Sequence, residues 1–263
     1  MSFSSKFVKH ITYPLWLLKH GEFGVLKCIK EFDKLQCFSK EKLEDLQWER
    51  IKDILRHAYQ NSPFHKQLFE RNGISSDEIK DLNDFERIPI ISKQEIRENF
   101  PSILARNFSP KELLKSSTGG STGTPLTFYR DKRCLLYRRA IDVVFNRWLG
   151  VEIGDWTGWG WGASQDIRGK KTLKDRLASH IFPAVPYYRA FFLHYENITS
   201  QSINIFINDI KLKKPKLVVA YPNMIYQVAR YIKEKKIEDV FVPSIVCTAE
   251  ALFPHQRELV ELT

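Results

Sequence analysis

Apolar residues recur at helical spacing through the first hundred positions. Leu43, Leu46, Ile51, Ile54, Leu55 and Ala58 follow the three-to-four periodicity of one helix face, which predicts a helix with one buried face. Asn61, Ser62 and Pro63 stop it, Asn72-Gly73 reads as a turn, and Pro89 breaks the chain before Ile90. From about residue 110 the pattern changes. A Ser/Thr/Gly cluster, Ser116–Thr124, runs into Pro125 and a short strand-like stretch, Leu126–Tyr129. Asp131 is placed to cap a long helix with Leu136, Ala140, Val143, Val144 and Trp148 on its core face, ended by Gly150.

Beyond residue 199 strand and helix alternate. Ser200 is placed to cap a helix carrying Ile203, Phe206, Ile207 and Ile210 on one face. Leu217–Ala220 is wholly apolar, as a buried parallel strand would be. A helix with Ile225, Val228, Ala229 and Ile232 follows, and Ser244–Cys247 is a second apolar run. Strand, helix, strand in that order implies a crossover in a parallel sheet. The expected class is therefore α/β, with a mainly helical region over residues 1–110 and an α/β region over 111–263. A last helix starts at Pro254 and reaches Thr263 without a capping residue, which suggests an incomplete α/β region.

Composition narrows the class. Apolar residues make up 43% of the 263 and charged residues 27%, which is ordinary for a folded globular chain. Cys28, Cys37, Cys134 and Cys247 form no Cys-x-x-Cys pair, so neither a disulfide scaffold nor a structural zinc site is expected, and no metal ligands are assigned. No apolar run approaches the length of a spanning helix, and the stretch Ile11–Leu18 is followed by Lys19 and His20 rather than a cleavage site. A cytoplasmic protein is the simplest expectation, and Asn107 and Asn197 then carry no glycan. The formal net charge is 41 − 31 = +10. Eight lysines fall within the first 42 residues, interleaved with Phe7, Trp16, Phe23 and Phe32. Solvated faces of amphipathic helices account for them, with weak peripheral contact to an anionic membrane as the functional alternative. No nucleic-acid recognition signature is present.

The segment dense in chemistry is Ser116-Ser117-Thr118-Gly119-Gly120-Ser121-Thr122-Gly123-Thr124-Pro125. Its three glycines permit a tight loop whose N–H groups face one centre. Hydroxyls on Ser117, Thr118, Ser121 and Thr122 are donors suited to a polyphosphate. The spacing is not that of a Walker A loop. A flexible linker has similar composition, but the flanking strand-like run and capped helix argue against one.

Thr118–Leu126 resembles the phosphate-binding signature of the adenylate-forming superfamily, which includes acyl-CoA synthetases. Within it the chain resembles the phenylacetate–CoA ligase family, in the branch associated with capsular polysaccharide biosynthesis. Supporting segments occur in the family's order: Leu46–Asn61 with Ser62-Pro63-Phe64; Asp84-Phe85 and Ile88–Lys93; Arg147–Val151 with Gly154-Asp155; Tyr221-Pro222-Asn223; Thr248-Ala249-Glu250. The resemblance implies the N-terminal domain of an adenylate-forming enzyme, a helical region plus a parallel or mixed sheet with flanking helices.

It also implies a reaction. A carboxylate and ATP give an acyl-adenylate and pyrophosphate, and many members pass the acyl group to coenzyme A. Residues 117–124, that is Ser117, Thr118, Gly119, Gly120, Ser121, Thr122, Gly123 and Thr124, would hold the ATP phosphates, with Mg²⁺ offsetting their charge. Thr248, Ala249 and Glu250 would lie beside the adenosine and acyl groups. Thr124 stands where the wider superfamily often has Lys. The family's Tyr-Gly-x-Thr-Glu segment, ribose-binding Asp, downstream Arg and C-terminal catalytic Lys have no counterpart here, so no catalytic residue is assigned. The expected protein is an N-terminal fragment, inactive alone, with a small-molecule carboxylate as ligand and a C-terminal half or a second copy as partner. The competing expectation is a non-catalytic remnant or scaffold with at most weak nucleotide binding. Whether coenzyme A or an amine accepts the acyl group stays open, as does the acyl substrate.

Three further signals carry less. Gly158-Trp159-Gly160-Trp161-Gly162-Ala163 formally fits a dinucleotide-binding pattern, but Trp159 and Trp161 sit where a cofactor would need room. A loop or strand end lining the acyl pocket, or plain aromatic packing, is expected instead. His57, His65, His180, His194 and His255 are expected as packing or surface residues. Glu250 is read as either a buried functional carboxylate or a helix-entry residue.

Overall fold

The computed structural model describes residues 3–75, 78–118, 125–162 and 189–263. Two compact units emerge, one of residues 25–140 and one joining residues 1–24 to 141–263. This partition follows contacts and differs from a division by secondary-structure content at residue 110, because the first 24 residues pack with the α/β half.

The unit of residues 25–140 is built on the helices Val25–Leu35, Lys40–Asn61 and Pro63–Arg71. Ser39 caps the second by accepting the Lys42 N–H, and Pro63 begins the third where a missing N–H costs nothing. Leu55, Phe69, Ile74 and Ile79 form its small buried core. The expected core face of Lys40–Asn61 is only partly right: Leu55 is buried, whereas Leu43 and Ile54 are exposed. Strands β1 (Leu114–Ser117) and β2 (Thr127–Arg130) pair antiparallel, Ser117 opposite Thr127. Asp131 then accepts the Cys134 N–H at 2.7 Å and starts the helix Lys132–Trp148. Ala140 and Val144 of that helix are buried as expected; Trp148, expected in the core, is 65% exposed and packs on Phe145.

The other unit carries a parallel sheet in the order β4-β3-β5-β6, from β3 (Thr157–Trp161), β4 (Ala190–His194), β5 (Leu217–Ala220) and β6 (Ser244–Cys247). Helices Ser200–Lys213 and Pro222–Lys235 supply Ile203, Phe206, Ile207, Ile210, Ile225, Val228 and Ile232 to a core with Phe191, Leu193 and Val218. These are the faces that the periodicity predicts. The first of these helices is capped one residue earlier than expected, by Thr199, whose hydroxyl accepts the Ser202 N–H. Of the alternatives left open for the segment with Trp159 and Trp161, a loop or a strand end, the structure gives a strand: residues 157–161 are β3, flanked by β4 and β5. Gly158 and Gly160 allow that close pairing. A Cβ on Gly160 would lie 2.8 Å from the Ala220 Cβ, and one on Gly158 would lie 3.0 Å from Phe191 and Val218. Ala163 and His180 lie outside the described residues.

Candidate functional site

The first candidate site belongs to the unit of residues 25–140. Ser117 ends β1, Thr118 follows it, and Pro125-Leu126 leads into β2. Gly119, Gly120, Ser121, Thr122, Gly123 and Thr124 lie outside the described residues. Their anchorage does not. The Thr118 N–H donates to the Leu126 carbonyl at 3.0 Å, and the Leu126 N–H donates to Thr118 Oγ1 at 2.9 Å. Two reciprocal hydrogen bonds thus join Thr118, before the six residues, to Leu126, after them. One register step below, Arg130 donates through Nε and Nη2 to Ser116 Oγ at 3.0 and 2.7 Å. The hairpin therefore holds both ends of the Gly/Ser/Thr segment at a fixed separation.

The same pair also sets hydroxyl chemistry. Thr118 Oγ1 accepts from Leu126, so its own proton remains available to an anion. Arg130 is engaged with Ser116. Beyond β2, a cavity of about 510 Å³ is lined by Ile96, Phe100, Ile103, Leu126, Tyr129 and His65, among others. Ser62, buried, donates to the Ile103 carbonyl at 2.8 Å and contacts His65 Nδ1 at 2.7 Å. With its single proton directed to Ile103, the Ser62 oxygen accepts from His65, which fixes that imidazole as the Nδ1–H tautomer. Burial pushes the His65 pKa below the ordinary histidine value. His65 is thus a packed histidine, as expected.

The second candidate site belongs to the parallel-sheet unit, at the carboxyl ends of its strands, where open parallel sheets place ligands. The Thr248 N–H donates to the Ala220 carbonyl at 3.2 Å, which ties the segment after β6 to the end of β5. Ala249 has φ +69°, a left-handed conformation that a non-glycine residue rarely adopts. Glu250 is exposed, so the expectation of a buried carboxylate is not met: the turn at Ala249 carries the chain out to solvent. At the ends of β3 and β5 the rings of Trp161 and Tyr221 lie 5.1 Å apart, and Tyr195 meets Tyr221 edge-on at 6.3 Å. Tyr195 had no signal in the sequence, since a lone exposed tyrosine has no periodicity to mark it.

No family model matches the chain. The fold is that of the adenylate-forming enzymes: 2-hydroxyisobutyryl-CoA ligase in its postadenylation state, in complex with 2-HIB-AMP, matches with a TM-score of 0.61 over 85% of this chain and 48% of that one, at 18% identity. Its open conformation, in complex with 2-HIB-AMP and CoA, matches with a TM-score of 0.56 at 17% identity. Among curated proteins, Protein CapK of Staphylococcus aureus is 25% identical over 222 residues, 84% of this chain and 46% of that protein. Phenylacetate-coenzyme A ligase of Escherichia coli (strain K12) is 30% identical over 95 residues, 36% of this chain and 22% of that protein. The chain is thus similar to CapK and to phenylacetate-coenzyme A ligases in sequence and shares the fold of the solved ligase, and its match spans about half the length of CapK and of that ligase.

Proposed function

We propose that this chain supplies the nucleotide-phosphate grip of an ATP-dependent, carboxylate-activating protein of acyl-CoA ligase type. The reading is supported above all by the two hydrogen bonds between Thr118 and Leu126, which tie together the two ends of the Gly/Ser/Thr segment. In the proposed reaction a carboxylate oxygen bonds to the α-phosphorus of ATP while the bond to the β-phosphate oxygen breaks and pyrophosphate leaves. Ser117, Thr118, Ser121, Thr122 and the backbone N–H groups of residues 119–124 donate to the β- and γ-phosphate oxygens. Their contribution is positioning and charge stabilisation, with no protein nucleophile needed. Mg²⁺ bound to the nucleotide would supply the positive charge that Thr124 does not.

Thr248, Ala249 and Glu250 are proposed to border the adenosine and acyl groups, with Trp161 and Tyr221 as the aromatic surface beside them. The acyl acceptor in this reading is coenzyme A, and the setting is cytoplasmic synthesis of a capsular or other surface polysaccharide, on the strength of the family resemblance. Because the relatives are about twice as long as the matched region, a further polypeptide segment, a C-terminal half or a second copy, is proposed to complete the enzyme. Calorimetric titration of MgATP into the chain tests the grip. Replacing Gly120 and Gly123 together with Val is expected to abolish binding while leaving helix content intact; unchanged affinity would remove the loop from the site. The chain alone is expected to give no ATP–pyrophosphate exchange with any carboxylate, and measurable exchange would contradict the need for a further segment.

A further inference from the structure

The N-terminal helical segment has two apolar faces, and only one is covered by the unit it belongs to. It runs as Phe3–Phe7, a π-helical turn Val8–Thr12, and Tyr13–Lys19. Val8 and Leu17 are fully buried, with Ser5, Thr12 and Tyr13 beside them. Gly154, at φ +92°, lies so near that a Cβ there would sit 2.6 Å from the Ser5 carbonyl oxygen and 2.9 Å from the Val8 Cβ. Lys9 pairs with Glu152 at 2.9 Å and Arg189 donates to Ser4 Oγ at 3.0 Å, so the segment is fastened on that side.

Phe3, Phe7, Ile11, Leu15 and Leu18 make the other face, at spacings of four, four, four and three residues. They are 87%, 43%, 45%, 60% and 64% exposed. In an α-helix a four-residue step drifts by about 40° around the axis. A π turn, with fewer degrees per residue, opposes that drift, and one occurs within the row at Val8–Thr12, where the Tyr13 N–H reaches back to the Val8 carbonyl. One exposed hydrophobe needs no explanation, but a continuous row does.

Charge indicates what covers the row. Residues 3–20 contain Lys6, Lys9, His10, Lys19 and His20 and no Asp or Glu. We propose that this face lies in the plane of an anionic lipid surface, its apolar row in the boundary between headgroups and acyl chains and Lys6 and Lys19 among the phosphates, while Lys9 stays paired with Glu152. A symmetric pair of copies joined through the row would set the same cations against one another, with no acid in the segment to offset them. Trp16, stacked on His20 with centroids 4.2 Å apart, is the ring type favoured at that depth. Among the described residues no helix is long and apolar enough to cross a membrane, so the contact is peripheral.

Sedimentation of the whole chain with vesicles tests this, using phosphatidylcholine alone and phosphatidylcholine with about one-third phosphatidylglycerol. Binding to the anionic vesicles is expected to fall about tenfold on neutral ones or in high salt. The triple variant Phe7→Gln/Ile11→Gln/Leu15→Gln is expected to lose it by a similar factor with an unchanged melt. Phe3→Gln, at the most exposed position, serves if the triple variant melts early and is expected to weaken binding severalfold. Equal binding by these variants, or no vesicle binding by the parent, would overturn the proposal. So would a dimeric parent that the triple variant makes monomeric, which would assign the row to a second copy.

Discussion

Two glycine-rich segments of this chain look alike in composition and are used in opposite ways. Gly158-Trp159-Gly160-Trp161 is the strand β3, and its glycines exist because the neighbouring strands leave no room for a Cβ: Ala220 would be 2.8 Å from one on Gly160. Gly119-Gly120 and Gly123 stand in the stretch between the paired strands β1 and β2, whose ends are locked by Thr118 and Leu126. The first segment is glycine-rich to pack; the second, in the proposed function, is glycine-rich to present backbone N–H groups. A glycine pattern read without its strand context cannot separate the two, but its flanks can. A polar segment held at both ends by a hairpin has donors to offer, whereas one alternating with tryptophan inside a sheet has neighbours on both sides.

Substitutions break this comparison most sharply at Gly160. Gly160→Val overpacks β3 against β5 and is expected to cost about 3 kcal/mol in urea unfolding, the upper part of the usual range for a crowded core. Gly120→Val is expected to change stability little while removing nucleotide binding. Next in size is the support behind the hairpin. Ser62→Ala leaves the Ile103 carbonyl and the His65 N–H without a partner and is expected to cost about 2 kcal/mol, read in the same unfolding assay.

A pH series then sharpens the same region. His65 has its pKa lowered by burial in the folded state. Between that value and the ordinary histidine value the unfolded chain binds more protons, so stability rises with pH. The contribution is complete above the ordinary value, about pH 6.5, and is lost as pH falls through the folded pKa. The melting temperature is therefore expected to drop between neutral and mildly acidic pH, and His65→Gln is expected to flatten that slope. The smallest stability effect is at the Thr118–Leu126 pair itself. Thr118→Val removes one acceptor from a solvent-exposed N–H and is expected to cost less than about 1 kcal/mol. Its effect on MgATP affinity, measured by calorimetry, is expected to be the larger of the two.

Helical faces and wholly apolar strands were legible in the chain because burial writes a period of its own. Ile203, Phe206, Ile207 and Ile210 are buried where that period puts them, and Leu217–Ala220 is the inner strand β5. Asp131 caps the helix that its position predicted. The failures have a common cause, since they depend on partners distant in sequence. Strand β3 has no apolar pattern because glycine and tryptophan share the space with Phe191 and Val218. Leu43, Ile54 and Trp148 keep helical spacing yet face outward, because the elements around them cover a narrower stripe than the period allows. Of the candidate sites, the Gly/Ser/Thr segment stood out by composition, but the bonding between its two ends depends on the pairing of β1 with β2. The Trp161–Tyr221 pair depends on the pairing of β3 with β5. Glu250 could not be placed by sequence, because the left-handed Ala249 decides which way the chain leaves β6.

The most direct test of the contrast is an amide NMR spectrum of the chain labelled at glycine, which has 12 reporters. Magnesium tripolyphosphate, a probe that carries only the phosphate chemistry, is titrated in. The account predicts that the signals of Gly119, Gly120 and Gly123 move in a saturable way while those of Gly158 and Gly160 stay in place. Shifts confined to Gly158 and Gly160, or a loop that does not respond at any concentration, would contradict it.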